Sequence, residues 1–249
     1  MTNDWNAASY DKVADPQVRW GAEVLERLPL VGDERVLDAG CGAGRVTELL
    51  IDRLPDGRVV ALDQSGSMLN EARRRLARFG DRIAFVQADL EKPLPVDPKV
   101  DAILSTATFH WVLDHDALFA NLAAVLRPGG RLVAQCGGFG NIARFIDVAS
   151  SVDPAFVRNA HNFQTAEATA ERLEREGFVE VRTWLSDAPT PFASTEDLEA
   201  FIATVCLRVH LAQLPEERRA PFVREVAARM PEPVLDYVRL NITARRAAG

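Results

Sequence analysis

Cysteine is scarce in this chain. Cys41, Cys136 and Cys206 are the only three in 249 residues, and they lie far apart. That spacing excludes a disulfide framework and a cysteine-based metal site; it fits a reducing compartment, so a cytoplasmic protein is expected. The four histidines have no metal-ligand spacing either, and no metal is expected. No apolar run approaches the ~20 residues of a membrane span. The stretch Met1–Tyr10 is too polar and mixed to be a signal peptide. Positive charge is in deficit: 29 Lys and Arg against 36 Asp and Glu leave a net charge of −7. Nucleic-acid binding needs a basic field, so no nucleic-acid partner is expected. Internal repeats and low-complexity tracts are absent.

What is present is an ordinary globular composition, 47% hydrophobic and 26% charged, of a size that one large domain can carry. Short β-rich runs cover Arg35–Ala39, Arg58–Asp63, Ile83–Gln87, Val100–Thr106 and Arg131–Cys136. Between them, apolar residues recur at helical spacing, as in Val46, Leu49, Leu50 and Leu54, or Leu118, Leu122, Val125 and Leu126. Strand and helix alternating in this way predict parallel strands with right-handed crossovers, a doubly wound α/β sheet. Asp114 or Asp116 is expected to cap the fourth-strand crossover helix, Thr165 the helix that ends before Gly177, and Pro128-Gly129-Gly130 to end a helix before a strand. A sixth strand follows at about Val179–Leu185 and a seventh at Val234–Ala244. Two helical segments, Ser194–Ala212 and Glu216–Met230, lie between them as a cap.

The sharpest local signal is Val36-Leu37-Asp38-Ala39-Gly40-Cys41-Gly42-Ala43-Gly44, at the carboxyl end of the first strand, where open α/β sheets bind ligands. A dinucleotide loop would need a small residue at position 45, which holds Arg45. Asp38 would also repel a pyrophosphate, whereas it suits the ammonium group of S-adenosylmethionine. Asp63 ends the second strand, about twenty residues on, and can accept hydrogen bonds from a ribose diol. Asp89 ends the third strand within reach of an adenine amine. Each acid alone could merely cap a following helix. Three acids at three successive strand ends, with the glycine turn, point instead to a cofactor.

These residues resemble the class I S-adenosylmethionine-dependent methyltransferases. The glycine-rich stretch matches that family's first motif; Asp63, Ala88-Asp89 and Leu126-Arg127-Pro128-Gly129-Gly130 match its later ones in order and spacing. The resemblance is strong over about residues 30–140. It implies S-adenosyl-L-methionine as cofactor, with S-adenosyl-L-homocysteine as product, on a Rossmann-like sheet of seven strands, one of them antiparallel near an edge. It implies that Asp38, Ala39, Gly40, Cys41 and Gly42 hold the methionine end. Asp63 with Gln64 would hold the ribose, and Ala88, Asp89 and Leu90 the adenine, with Met68 against its face. Ser105 would lie beside the sulfonium. Asp4-Trp5-Asn6, Tyr10, Phe109-His110-Trp111-Val112-Leu113-Asp114-His115, Cys206-Leu207-Arg208 and Arg239-Leu240 resemble a narrower group, the trans-aconitate methyltransferases. The chain departs from that group at Leu207-Arg208-Val209-His210 and at Gly137-Gly138-Phe139-Gly140-Asn141, so the acceptor stays open.

The expected organisation is one domain: an N-terminal helical lid over 1–30, a cofactor-binding core over 31–188, a helical cap over 189–233, and a last strand and tail over 234–249. Trp5 and Tyr10 offer aromatic faces to the acceptor and to the cofactor cation, and Trp20 belongs to the same aromatic segment. On the acceptor side the candidates are Phe109, His110, Trp111, Arg144 and Arg208. His110 is the candidate catalytic group, since a hydroxyl, phenol or amine acceptor needs a base whereas a carboxylate does not. His115 is expected on the solvent side of a helix start; His161 and His210 could line the pocket. Arginine is shaped to grip a carboxylate. The expected activity is therefore O-methylation of a small organic acid by a monomer or dimer. The alternatives are methylation of a hydroxyl or phenol natural product, use of the cofactor for another reaction, and a binding module with a degenerate site.

Overall fold

A computed structural model describes residues 15–156 and 161–248. Its main sheet has seven strands: β1 Arg35–Ala39, β2 Arg58–Asp63, β3 Ile83–Gln87, β4 Val100–Thr106, β5 Leu126–Gly137, β6 Phe178–Asp187 and β9 Val238–Arg246. Their order is β3-β2-β1-β4-β5-β9-β6. All pairings from β3 to β5 are parallel, and β9 runs antiparallel to both β5 and β6. The expected doubly wound, mostly parallel sheet with a cap between its last two strands is what forms.

Alternation decides which side each strand residue covers. Leu37, Val60, Leu62, Ile103 and Leu132 face one side and pack on Leu118, Phe119 and Leu122 of the helix His115–Val125 and on Leu173 of Ala166–Arg175. Val36, Val59, Ala61, Leu104 and Val133 face the other, against Val24 and Leu25 of Asp15–Glu26, Leu50 and Ile51 of Arg45–Asp52, and Leu69 and Ala72 of Gly66–Arg75. Both faces are covered, which is why these strands read as continuous apolar runs. Helix starts are capped by side chains: Ser65 accepts from Met68 N–H, Asp114 from Ala117 N–H and Thr165 from Ala168 N–H. A third cluster holds the cap, with Phe145, Leu198, Phe201, Phe222 and Val226 meeting Trp20 and Tyr237.

Four boundaries differ from expectation. Strand β5 begins at Leu126, not Arg131; Pro128-Gly129-Gly130 lies inside it, where the pairing with β4 shifts register between Val100 and Ala102. Pro128 lacks an N–H and Gly129 has φ 75°, so neither can continue a regular ladder and the strand bulges. The cap is not one helix over Ser194–Ala212: Thr195–Phe201 passes into a wider turn, Ile202–Cys206, and then Arg208–Leu211. It is bracketed by a two-residue antiparallel ladder between β7, Thr190–Pro191, and β8, Val234–Leu235. The last long strand consequently starts at Val238.

Candidate active site

The glycine turn is tied to the end of β2. Gly40 N–H and Cys41 N–H both donate to Leu62 O, at 2.8 and 2.9 Å. Gly40 has φ 84°, and a Cβ there would lie 2.2 Å from Thr108, so only glycine fits. At Gly42 a Cβ would meet no described atom within 4 Å, which leaves the backbone open to a ligand. Below this opening sits Asp38, only 1% exposed. Its Oδ2 accepts from Thr47 Oγ1 at 2.7 Å, while its Oδ1 is buried with no hydrogen-bond partner among the described residues. Burial pushes this carboxyl up to about 7; Thr47 opposes the rise and the nearby Asp63 carboxylate adds to it. A buried oxygen left bare in this way calls for a cationic donor. The ammonium group of S-adenosylmethionine has that chemistry, so the residues present fit the cofactor.

Asp63 accepts from Gly42 N–H through Oδ2 and from Ser65 N–H through Oδ1, both at 2.8 Å. The helix after β2 is capped by Ser65, so Asp63 is not its N-cap. Asp89 accepts from Glu91 N–H at 2.9 Å in a turn, and no helix lies between β3 and β4. Capping therefore accounts for neither acid. Met68 is buried at the start of its helix. Ser105 is buried and donates to Ala39 O at 2.6 Å, which ties the ends of β1 and β4 together. Ala39, Ala88 and Leu90 pack in or against the core on one side of the sheet, and Cys41 packs in the core on the other; Gln64 is exposed. Leu90, directly after Asp89, is buried in the same cluster as Ala39.

On the acceptor side β4 is followed by Ala107, whose φ of 54° is left-handed and rare for a residue with a Cβ. The chain then turns through Thr108, which donates to Gly40 O at 3.2 Å, into a single 3-10 turn, Phe109–Trp111. Phe109 is a core residue in this structure, where an acceptor-side residue was expected: its ring is 1% exposed and packs edge-on against Phe119. His115 is corrected too. It is 4% exposed, not on the solvent side, and its Nε2 meets Phe109 O at 2.9 Å, bracing the turn. Arg144 is exposed, and among the described residues only its backbone N–H is engaged, by Asp236; helix spacing about the buried Phe145 turns it outward. Arg208 is half-buried at the start of its short cap helix. Trp5 and Tyr10 lie outside the described residues.

His110 is 9% exposed, and its Nδ1 accepts from Gly137 N–H at 3.2 Å. Its ring stacks on His161 and Phe163, at 5.7 and 5.8 Å, with Trp111 at 5.2 Å. Burial holds the His110 ring well below the usual histidine range, with His161, Arg239 and His115 acting in the same direction. Burial likewise pushes His161 down to about 4.

Arg239, on β9 opposite Gly137, had no expected role beyond the resemblance. It is 4% exposed, its Nε donates to Gln135 Oε1 at 3.4 Å, and its guanidinium lies 4.6 Å over the Trp20 ring. Gln135 Nε2 and Arg27 Nη1 both donate to Asn241 Oδ1, at 2.8 and 2.7 Å. The alternating polar residues Arg239, Asn241 and Thr243 were the available signal, but alternation ordinarily marks a solvent face. Among the described residues no group of three or more His, Cys, Asp or Glu could hold a metal, and no helix is long and apolar enough to cross a membrane.

Residues 36–130 match the model of the methyltransferase domain family. The chain is 32% identical to a trans-aconitate 2-methyltransferase of Methylobacterium nodulans over 98% of each chain. It is 31% identical to another of Paracidovorax citrulli, over 99% of this chain and 100% of the relative. Among solved structures, phosphoethanolamine N-methyltransferase 2 of Haemonchus contortus, in complex with S-adenosylhomocysteine, superposes with a TM-score of 0.66 at 18% identity. That match covers 98% of this chain and 57% of the other and shows a shared fold. The chain belongs to the class I S-adenosylmethionine-dependent methyltransferases and, within them, to the family of the trans-aconitate 2-methyltransferases. It is an enzyme of that class, with S-adenosylmethionine as its cofactor.

Proposed function

We propose that this methyltransferase esterifies a small organic acid of the trans-aconitate kind at a carboxylate oxygen. The observation that carries this reading is Arg239, a buried guanidinium at the carboxyl end of the sheet, close enough to His110 to affect its charge. A buried fork of N–H donors matches a carboxylate in shape and charge. Similarity over nearly the whole chain to relatives named for trans-aconitate supports the same class of acceptor. Asp38 would hold the cofactor's ammonium group, the open face of Gly42 its methionine end, Asp63 its ribose, and Asp89 with Met68 its adenine. Residues 1–30, with Trp5 and Tyr10, and the cap over 189–233, with Arg208, would close over the pair and exclude water. When bound, the cofactor would supply the methyl group for ester formation at a carboxylate oxygen, with its sulfonium sulfur as the leaving group. On this reading the enzyme works in the cytoplasm, as a monomer or dimer, without nucleic acid.

A second reading, methylation of a phenol or hydroxyl, is favoured by the aromatic wall of His110, Trp111, His161 and Phe163. The two separate in one assay. Purified enzyme is given methyl-labelled cofactor and a panel of di- and tricarboxylic acids, phenols and alcohols, and products are identified by mass. An alkali-labile methyl ester on an acid is expected. Label passing only to phenols or alcohols would sink the organic-acid reading.

A further inference from the structure

We infer that His110 is a fixed hydrogen-bond donor to the acceptor's carboxylate, presenting Nε2–H, and that it takes up no proton during the reaction; this rests on the organic-acid reading above. A general base at this position would need a free ring lone pair facing the acceptor. The geometry denies it one. The Nδ1 lone pair is engaged by Gly137 N–H at 3.2 Å. A neutral ring whose Nδ1 accepts must carry its proton on Nε2.

The surroundings keep the ring neutral. It is buried among His161, Phe163 and Trp111, and the charged and titratable groups that act on it are Arg239 on β9, His161 and His115. All three oppose a second proton. Among the described residues Nε2 makes no hydrogen bond within the protein. With no acceptor among the described residues, this N–H is open to one that a ligand supplies.

His110 stands one short turn beyond β4, two residues past Thr108, which touches the glycine turn. That location places it where an acceptor must meet the methyl donor. A carboxylate has two oxygens. A donor on the attacking oxygen would draw on the lone pair that must form the new bond; a donor on the other oxygen orients the group and leaves that pair free. We assign Nε2–H to the oxygen that is not methylated. The acid then needs Arg239 for charge and His110 for direction, and no proton leaves it.

Two measurements on the full-length protein test this. In the first, nitrogen-15-labelled histidine spectra of the wild type, with His110→Ala to assign the signal, are followed from pH 5.5 to 8. The His110 ring should stay neutral with its proton on Nε2 throughout. A proton on Nδ1, or titration within this range, would overturn the inference whatever the acceptor is. The second compares His110→Ala with His110→Gln, whose amide carries an N–H donor near the Nε2 position. Cofactor affinity should be unchanged in both, which checks the fold. His110→Ala should lose about ten- to a hundredfold in kcat/KM on the acid, the value of a hydrogen bond to a charged group, and His110→Gln should recover most of it. A Gln variant as poor as Ala, with cofactor bound normally, would refute the donor role. A wild type inactive on every acid, with the ring as expected, would instead refute the organic-acid reading and leave the ring's donor state established.

Discussion

Asp38 should make cofactor affinity depend on pH in a definite direction. In the free protein burial raises this carboxyl from an ordinary 3.8 to about 7. The ammonium of the cofactor needs it ionised, so binding must release the proton wherever it is still held. Affinity should therefore be level above about pH 7 and fall about tenfold per pH unit below it, roughly 1.4 kcal/mol each. The cofactor's own α-amino group titrates near ~8, so affinity declines again above that and the optimum lies between. Stability of the free protein runs the opposite way. The carboxyl holds its proton more tightly folded than unfolded, so the cost of burying the charge is absent below about pH 4 and complete above about pH 7. Over that window of roughly three units the cost reaches about 4 kcal/mol as an upper bound. Calorimetry in two buffers of different ionisation enthalpy reads both affinity and proton release. Near pH 6 close to one proton should leave per cofactor bound. Asp38→Asn should abolish the acid limb, weaken binding at pH 7.5 by about tenfold or more, and raise the melting temperature of the free protein at pH 8. Flat affinity from pH 5.5 to 7.5, or an Asn variant that binds like the wild type, would refute the assignment of Asp38 to the ammonium.

Four other outcomes are expected. Asp63→Ala should raise the cofactor dissociation constant by about ten- to a hundredfold, the value of a charged hydrogen bond, while circular dichroism stays native. Gly42→Ala places a methyl in the opening where no described atom lies within 4 Å, at φ 53°. It should cost about 1 kcal/mol of stability but most of the cofactor affinity, and equal affinity would mean the opening is not the cofactor's. Phe109→Ala should destabilise the fold by about 3–5 kcal/mol in urea unfolding, as for other buried rings; a change in acceptor KM with unaltered stability would return Phe109 to the pocket. Arg239→Met keeps apolar contact with Trp20 and removes the charge; turnover on carboxylic acids should fall at least tenfold with cofactor affinity unchanged, and unaltered turnover would take Arg239 out of acceptor recognition.

Much of the fold was legible because its signals are local. β1 to β4 have the bounds that β-branched runs and turn residues indicated, since such runs are broken sharply by glycine, proline and polar residues. Caps at Asp114 and Thr165 are equally local, one side-chain oxygen meeting one N–H three residues on. Errors gathered where a long-range contact decides. Pro128-Gly129-Gly130 has the look of a helix stop, yet Val100 and Ala102 of β4 draw it into β5 as a bulge. His115 sits at a helix start, an ordinarily exposed position, but Phe119 and the Phe109 carbonyl enclose it.

The amino-acid sequence by itself determined the alternation of strands and helices, the glycine turn after β1 and the acids at three successive strand ends. These depend on spacing along the chain and on backbone freedom, which composition and order already carry. Only the tertiary structure decided which polar residues are buried and what state they take. Arg239 and Asn241 alternate like a solvent face, yet Trp20 of the helix Asp15–Glu26 lies against Arg239 and Arg27, just after that helix, bonds Asn241. Asp38 is an ordinary acid in the sequence, and enclosure by neighbours distant along the chain raises its proton affinity. His110 could hold its proton on either nitrogen until β5 brings Gly137 N–H to Nδ1. Burial and hydrogen-bond direction are properties of assembled neighbours, so no reading along one dimension contains them.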